Sequence, residues 1–486
     1  MLVRTRKDAA PSTLYNYVMA RPPLDDFVTG TAEELQVPGI AVGVYEGGDE
    51  TYAFHGVTNI DAPVPVDENT LFQYGSTHKT FTATAIMRLV EQGLIDLDAP
   101  VRTYVPELKL SDPEVAKRVT VLQILNHTAG WSGDAHEDTG NGDDARERFV
   151  TAMAELEQVT PLGANVSYNN AAFNLAGRVI EKVTGKVYEA AMKELIHEPL
   201  GLTNSFFFPN DVISRRFVVG HTQDPDGTIK VARPWALARA SAPAGGFGIT
   251  ATAADQIAWA RFHLGDGTAP DGTRLLSKAL LDLMKQPTAH MPGSALGDAV
   301  GIAWLLRDAG GLRLVSHGGT TIGQHSQFMM IPDRDFALIS MTNCGPNGSQ
   351  FNDQLRKWVL ATYFDVSEPD PEPITLADDA LATYVGRYET VAAIANVTSA
   401  DGGLVINVEI KPEARAQLHE DGQDVPEQPP IPLGLLEGEG DRYIVTGGPA
   451  KGMRGYFVRG ASGEIEGVHV GGRLATRVAV TADQSR

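Results

Sequence analysis

The chain has 486 residues, 43% of them apolar and 21% charged, with a mean hydropathy of −0.13. That balance excludes intrinsic disorder and a fibrous repeat, and the length predicts two to four domains with ample apolar material for cores. The 61 Asp and Glu against 40 Lys and Arg leave a net charge of −21, a sign that repels phosphate backbones and argues against nucleic acid as a partner.

The only cysteine, Cys344, excludes an intrachain disulfide framework and a cysteine-based zinc site. The N-terminal MLVRTRKDAAPSTLYNYVMARPPLDD is basic at first but has no apolar h-region. No apolar run approaches the ~18 residues of a membrane span. The expectation is therefore a cytoplasmic protein with no membrane partner.

Residues 38–59 read as two strands around the turn Glu46-Gly47-Gly48-Asp49. A strand-like FQYG then runs into a helix from Thr77, in which Phe81, Ala85 and Leu89 interleave with Ile86 and Val90 and Gly93 supplies the stop. Residues 132–147, SGDAHEDTGNGDDARE, hold almost no large apolar side chains and read as a long exposed loop of functional character. A second helix follows Tyr168, with Phe173, Ala176, Ile180 and Val183 at helical spacing and Gly185 at its end. Strands return from about residue 244: GGFGITATAADQIAWARF reads as strand then helix, and GLRLVSHGG and SQFMMIPDRDFALISMTN as strands. This order predicts an α/β domain over 1–365, an antiparallel sheet flanked by helices with a helical subdomain over about 76–240 inserted. The Pro-rich acidic stretch 366–376 reads as a linker, and the short alternating runs of 377–486 as a small all-β barrel or sandwich.

Three short elements can carry chemistry. In Ser76-Thr77-His78-Lys79, residues three apart share a helix face, so the lysine amine can approach the serine hydroxyl. The serine sits at the positive end of the helix dipole, where a developing oxyanion is favoured. The same dipole and burial disfavour the ammonium form and suit Lys79 as proton acceptor. In Tyr168-Asn169-Asn170, a phenol near a lysine is expected to ionise more easily and shuttle protons, while Asn170 can hold a substrate carbonyl or the lysine, or simply cap the helix. In His317-Gly318-Gly319-Thr320, the glycines admit a close neighbour, and the Thr320 amide can serve as a second oxyanion donor beside that of Ser76.

Taken in this order, the three elements resemble those of the serine β-lactamase and penicillin-binding-protein superfamily, whose nucleophile motif is Ser-x-x-Lys. Blocks such as FQYGSTHKTFTATAIMRLVEQGLIDLDAPVRTYVPEL, VTVLQILNHTAGW and YNNAAFNLAGRVIEKVTG extend the resemblance over about residues 36–365. The tail, with ATYVGRYE at 382–389, resembles a lipocalin-like β domain. The resemblance implies a β-lactamase/transpeptidase-like fold and a serine hydrolase without metal or other cofactor, acting on a small-molecule or short-peptide substrate. Ser76 would be the nucleophile, Lys79 and Tyr168 the proton carriers, and Asn170, His317, Gly319 and Thr320 the substrate-binding groups.

Tyr-x-Asn resembles class C β-lactamases, D-aminopeptidases and family VIII esterases. His317 stands where β-lactamases and transpeptidases carry the lysine of Lys-Thr-Gly, whose fixed cation holds a substrate carboxylate. A mostly neutral histidine grips that group less well. The implied activity is a D-amino-acid-type peptidase or amidase. The alternatives are a family VIII-type carboxylesterase or transacylase, a β-lactamase or DD-carboxypeptidase, and a non-catalytic ligand-binding member. In such relatives a loop of the appended domain can reach the active site, and residues 419–434 are the candidate here. His127 is expected to hydrogen-bond locally, His78 and His325 have no assigned role, and a homo-oligomer is left open.

Overall fold

The computed structural model describes residues 23–478 apart from 136, 225, 401, 421–428, 439 and 449. Strands β1 (Gly39–Glu46) and β2 (Asp49–Gly56) form the first hairpin. Six more strands come late in the chain: β3 (Ala289–Ser294), β4 (Gly297–Val300), β5 (Leu305–Ala309), β6 (Leu312–Thr321), β7 (Gln324–Ile331) and β8 (Phe336–Thr342). All eight make one antiparallel sheet in the order β2-β1-β8-β7-β6-β5-β4-β3. The two ends of the segment meet where β1 pairs with β8, Ile40 opposite Thr342.

The helices that matter to the site are α1 (Leu24–Glu34), α2 (His78–Glu91), α3 (Asn170–Thr184), α4 (Ala253–Leu264) and α5 (Asn347–Phe364). Strand β1 is apolar on both sides because the sheet is covered on both sides. Ile40, Val42 and Val44 pack against α1 and α5, whereas Ala41 joins the larger core built with α2, α3 and α4. No helix among the described residues is long and apolar enough to cross a membrane.

Helix α2 runs through the middle of the larger core, with every residue from His78 to Met87 buried. Its three threonines survive there because each hydroxyl has a carbonyl partner: Thr80 donates to Thr77 O at 2.8 Å, Thr84 to Thr80 O at 2.7 Å and Thr82 to Pro243 O at 2.8 Å. Phe81 stacks on Trp259 of α4 with ring centroids 3.9 Å apart, fixing α2 against the sheet-covering layer.

After a stretch without helix or strand at 366–377, eight further strands close into a barrel. They are β9 (Gly386–Glu389), β10 (Ala393–Ala400), β11 (Gly403–Ile410), β12 (Ile431–Leu435), β13 (Arg442–Val445), β14 (Arg454–Arg459), β15 (Ile465–Val470) and β16 (Arg473–Val478). Each pairs antiparallel with its chain neighbour, and β9 pairs with β16 to complete the ring, which removes every free sheet edge. Tyr388, Val397, Ile406, Tyr443, Phe457 and Val468 belong to its separate core.

Replacing Phe81 with alanine should cost about 3–5 kcal/mol through the lost ring and the cavity it leaves. The check is a lower urea midpoint for the transition followed by tryptophan fluorescence.

Candidate active site

The short strand Phe72–Gln73 pairs with Thr250–Ala251 and delivers a single 3-10 turn, Gly75–Thr77, from which α2 starts at His78. Gly75 has φ +52°, and a Cβ on it would stand 2.8 Å from Thr320 N. A Cβ on Gly319 would likewise stand 2.8 Å from Ser76 N. Two residues without side chains thus let the serine turn close on β6 and bring the Ser76 and Thr320 amides together.

Lys79 Nζ lies 2.9 Å from Ser76 Oγ and donates to Ala244 O at 2.6 Å. The side chain is fully buried. Burial above all, and then the positive charge of Arg473, hold its pKa well below the usual lysine range, with Asp134 working in the opposite sense.

Tyr168 lies just before α3, whose cap is Asn169: its side chain accepts from Ala172 N at 2.8 Å. Asn169 N in turn donates to His127 Nδ1 at 3.0 Å, so the proton of the neutral His127 ring sits on Nε2. The His127 ring lies 4.4 Å from that of Tyr168, and Lys79 Nζ is 4.8 Å from the Tyr168 ring centroid. The phenol faces Ser76, yet its buried oxygen meets hydrogen-bond geometry with no described group. Burial raises its pKa above the ordinary phenol value, opposed by Ser76 and Arg473. The expectation of an easily ionised phenol is therefore corrected: burial shifts the neighbouring lysine toward its own neutral form, and the dry surroundings favour the protonated Tyr168.

Asn170 opens α3 and does not cap it; its amide donates to Asp134 Oδ1 at 2.9 Å. His317 bonds through Nδ1 to Gly318 O at 2.6 Å, which leaves Nε2 a buried acceptor with no described partner. Burial lowers its pKa to about 3, so the ring is neutral. Thr320 Oγ1 is 3.2 Å from His325 Nδ1. His78 is removed from the chemistry, held between the hydroxyls of Tyr74 and Tyr188 at 2.9 Å each.

Two charged groups escaped the sequence reading. Between β15 and β16 the dipeptide Gly471-Gly472 has positive φ at both residues, the two-residue turn that matches strand twist. This hairpin leaves the barrel and docks beside Tyr168: Tyr168 N donates to Gly472 O at 2.9 Å and Leu474 N to Ser167 Oγ at 3.2 Å. Arg473 then meets Asp134 with two bonds, 2.8 and 2.9 Å, in the loop expected over 132–147, which ends sooner because Ala145 and the buried Arg146 already belong to the helix Ala145–Ala152. The Arg473 guanidinium carbon is 5.0 Å from the Tyr168 ring centroid. The Gly-Gly pair between two alternating runs was the available signal. Residues 421–428 of the 419–434 loop proposed for this approach lie outside the described residues.

Ser76, Tyr168 and His317 open into a cleft of about 2040 Å³ that is also lined by Trp235, Phe247 and Arg473. Among the described residues, no group of three or more His, Cys, Asp or Glu is placed to hold a metal ion.

Residues 24–362 match the family model described as Beta-lactamase. A penicillin-binding protein 4 of Amycolatopsis lactamdurans is 35% identical over 366 residues, 73% of this chain and 94% of that one. Among solved structures, SurE covers 93% of this chain and 98% of its own with a TM-score of 0.73 and 25% identity. SurE with D-Leu gives 0.70 at the same identity, covering 92% and 97%. An octameric penicillin-binding protein homologue from Pyrococcus abyssi gives 0.62 at 23% identity, covering 90% and 96%, a likeness of fold. The fold, the serine–lysine pair and these matches agree: the chain belongs to the Beta-lactamase family and is a serine hydrolase of the β-lactamase and penicillin-binding-protein kind.

Proposed function

We propose that the chain is a peptidase or amidase that works through a Ser76 acyl-enzyme on substrates bearing a D-amino acid residue. The observation that carries this reading is the fully buried Lys79 amine 2.9 Å from Ser76 Oγ. Once neutral, Lys79 accepts the hydroxyl proton as Ser76 Oγ attacks the carbonyl carbon. The N–H groups of Ser76 and Thr320 receive the oxyanion, Gly319 being the residue that lets them converge. Tyr168, protonated at rest, hands a proton to the departing amine and is reloaded from Lys79. Water then attacks the acyl carbon by the same path in reverse. Asn170 and the free Nε2 of His317 border the substrate.

The neutral third-motif histidine supports an amide over a penicillin, because it offers no fixed cation to a carboxylate there. The D configuration is supported by the likeness to SurE, whose structure with D-Leu matches almost the whole chain. The acidic excess adds a field that favours amine-bearing substrates.

A Ser76→Ala variant should lose turnover while keeping its thermal unfolding temperature. Side by side, D-amino-acid p-nitroanilides should be turned over faster than L-anilides, short p-nitrophenyl esters and nitrocefin. A preference for the esters or nitrocefin overturns the substrate assignment. Gly319→Ala should cut kcat by ~10²–10³, the worth of one oxyanion donor, measured on the best anilide.

Lys79 also makes a stability prediction. Its folded pKa is depressed, so between that value and the ordinary lysine value of about 10.4 the unfolded chain binds a proton that the folded chain does not. Stability of the wild type should therefore rise with pH across this window relative to Lys79→Met. Urea midpoints of the two proteins at pH 7 and pH 9.5 check the sign.

A further inference from the structure

The charges nearest the catalytic lysine come from two places that the motifs do not cover. Tyr168 stands beside both basic side chains, with Lys79 Nζ at 4.8 Å and the Arg473 guanidinium carbon at 5.0 Å from its ring centroid. Lys79 and Arg473 are therefore about 10 Å apart at most, about the screening length of 0.1 M salt. Lys79 and the Tyr168 ring are buried while the Arg473 side chain is 38% exposed, so solvent screens their repulsion from the Arg473 side only. Arg473 is held there by its paired bonds to Asp134 and by the backbone bond from Tyr168 N to Gly472 O.

We propose that Arg473, carried into the catalytic domain by the last hairpin of the barrel, is a positioning residue that acts through space to keep Lys79 unprotonated, with Asp134 as the counter-charge that sets how strongly it does so. The barrel then takes part in catalysis by supplying a fixed charge that the neutral His317 in the third motif does not provide. This rests on the assignment of Lys79 as the base for Ser76.

The other groups around Lys79 leave this role to the pair. His127, just after the short helix Val121–Leu125, and His317 on β6 are both buried with pKa values held down by burial, so neither contributes a charge near pH 7. Tyr168 stays protonated. His78, next to Lys79 in α2, is buried and neutral. Ala244 contributes a carbonyl. Arg473 favours the neutral amine and Asp134 opposes it, and the same two act with the same opposition on Tyr168.

The test is the acid limb of kcat/KM against pH for p-nitrophenyl acetate, an uncharged substrate that cannot pair with either group. Arg473→Met removes the cation while the Asp134 carboxylate remains, and should move the limb up by about half a pH unit, the size of a single charge at this range with a third of its side chain facing solvent. Asp134→Asn keeps a hydrogen-bonding side chain, frees the guanidinium charge, and should move the limb down by a similar amount. Arg473→Lys should restore the wild-type limb. A limb that stays in place in both charge variants, or moves the same way in both, overturns the proposal. A hairpin that merely docks the barrel would change the plateau and leave the limb where it is. Should Arg473→Met fail to fold, the downward shift in Asp134→Asn decides the matter alone. Activity surviving in Ser76→Ala would instead overturn the acyl-enzyme reading beneath it, so the two failures are told apart.

Discussion

The site depends on withdrawing one amine from water. A lysine beside a serine can serve as its proton acceptor only if its ammonium form is costly, and the burial of Lys79 on every side supplies that cost. A lysine in the first turn of a surface helix would keep its proton. Here α2 is threaded through the core, and its threonine hydroxyls are turned back onto carbonyls so that the helix can be buried without stranded polar groups. The sheet, the aromatic stack on Trp259 and the covering helices are in this sense the means of setting a pKa.

The same dryness governs the side chains around the lysine. Two histidines adjoin Tyr168, and each is fixed in one tautomer by a backbone group: His127 accepts from Asn169 N, and His317 is bonded through Nδ1 to Gly318 O. One therefore presents an N–H and the other a lone pair, with no described partner for either. Such unpaired buried groups cost stability. The Tyr168 hydroxyl and His317 Nε2 are two such atoms on side chains that line the cleft.

Charge enters this neutral pocket at its edge, from the barrel. A hairpin of two glycines places Arg473 against Asp134 and Tyr168, so the barrel reaches the edge of the cleft through backbone bonds as well as an ion pair. A small contact of Val166, Met291, Val300 and Leu305 with Tyr456 of the barrel backs this docking on the catalytic side.

Much of the architecture was legible from local patterns in the chain. Helical periodicity after FQYG, the Gly185 stop and the alternating runs were enough for the sheet-and-helix domain and the β domain, because these patterns are local and short-ranged. Ser76 and Lys79 were legible together because three residues on a helix fix their relative position. Tyr168 and His317 could be named from their motifs, but their protonation could not, since it depends on neighbours distant in the chain. Tyr168 was expected to ionise readily and instead stays protonated, because burial of the whole cluster outweighs the lysine beside it. Asn170 was open between substrate, lysine and cap, and only the fold turned it toward Asp134. Arg473 lies more than 300 residues from the loop it pairs with. No periodicity or spacing links such positions: the turn of a closed barrel and the docking of that barrel bring them together, and both are properties of packing in three dimensions.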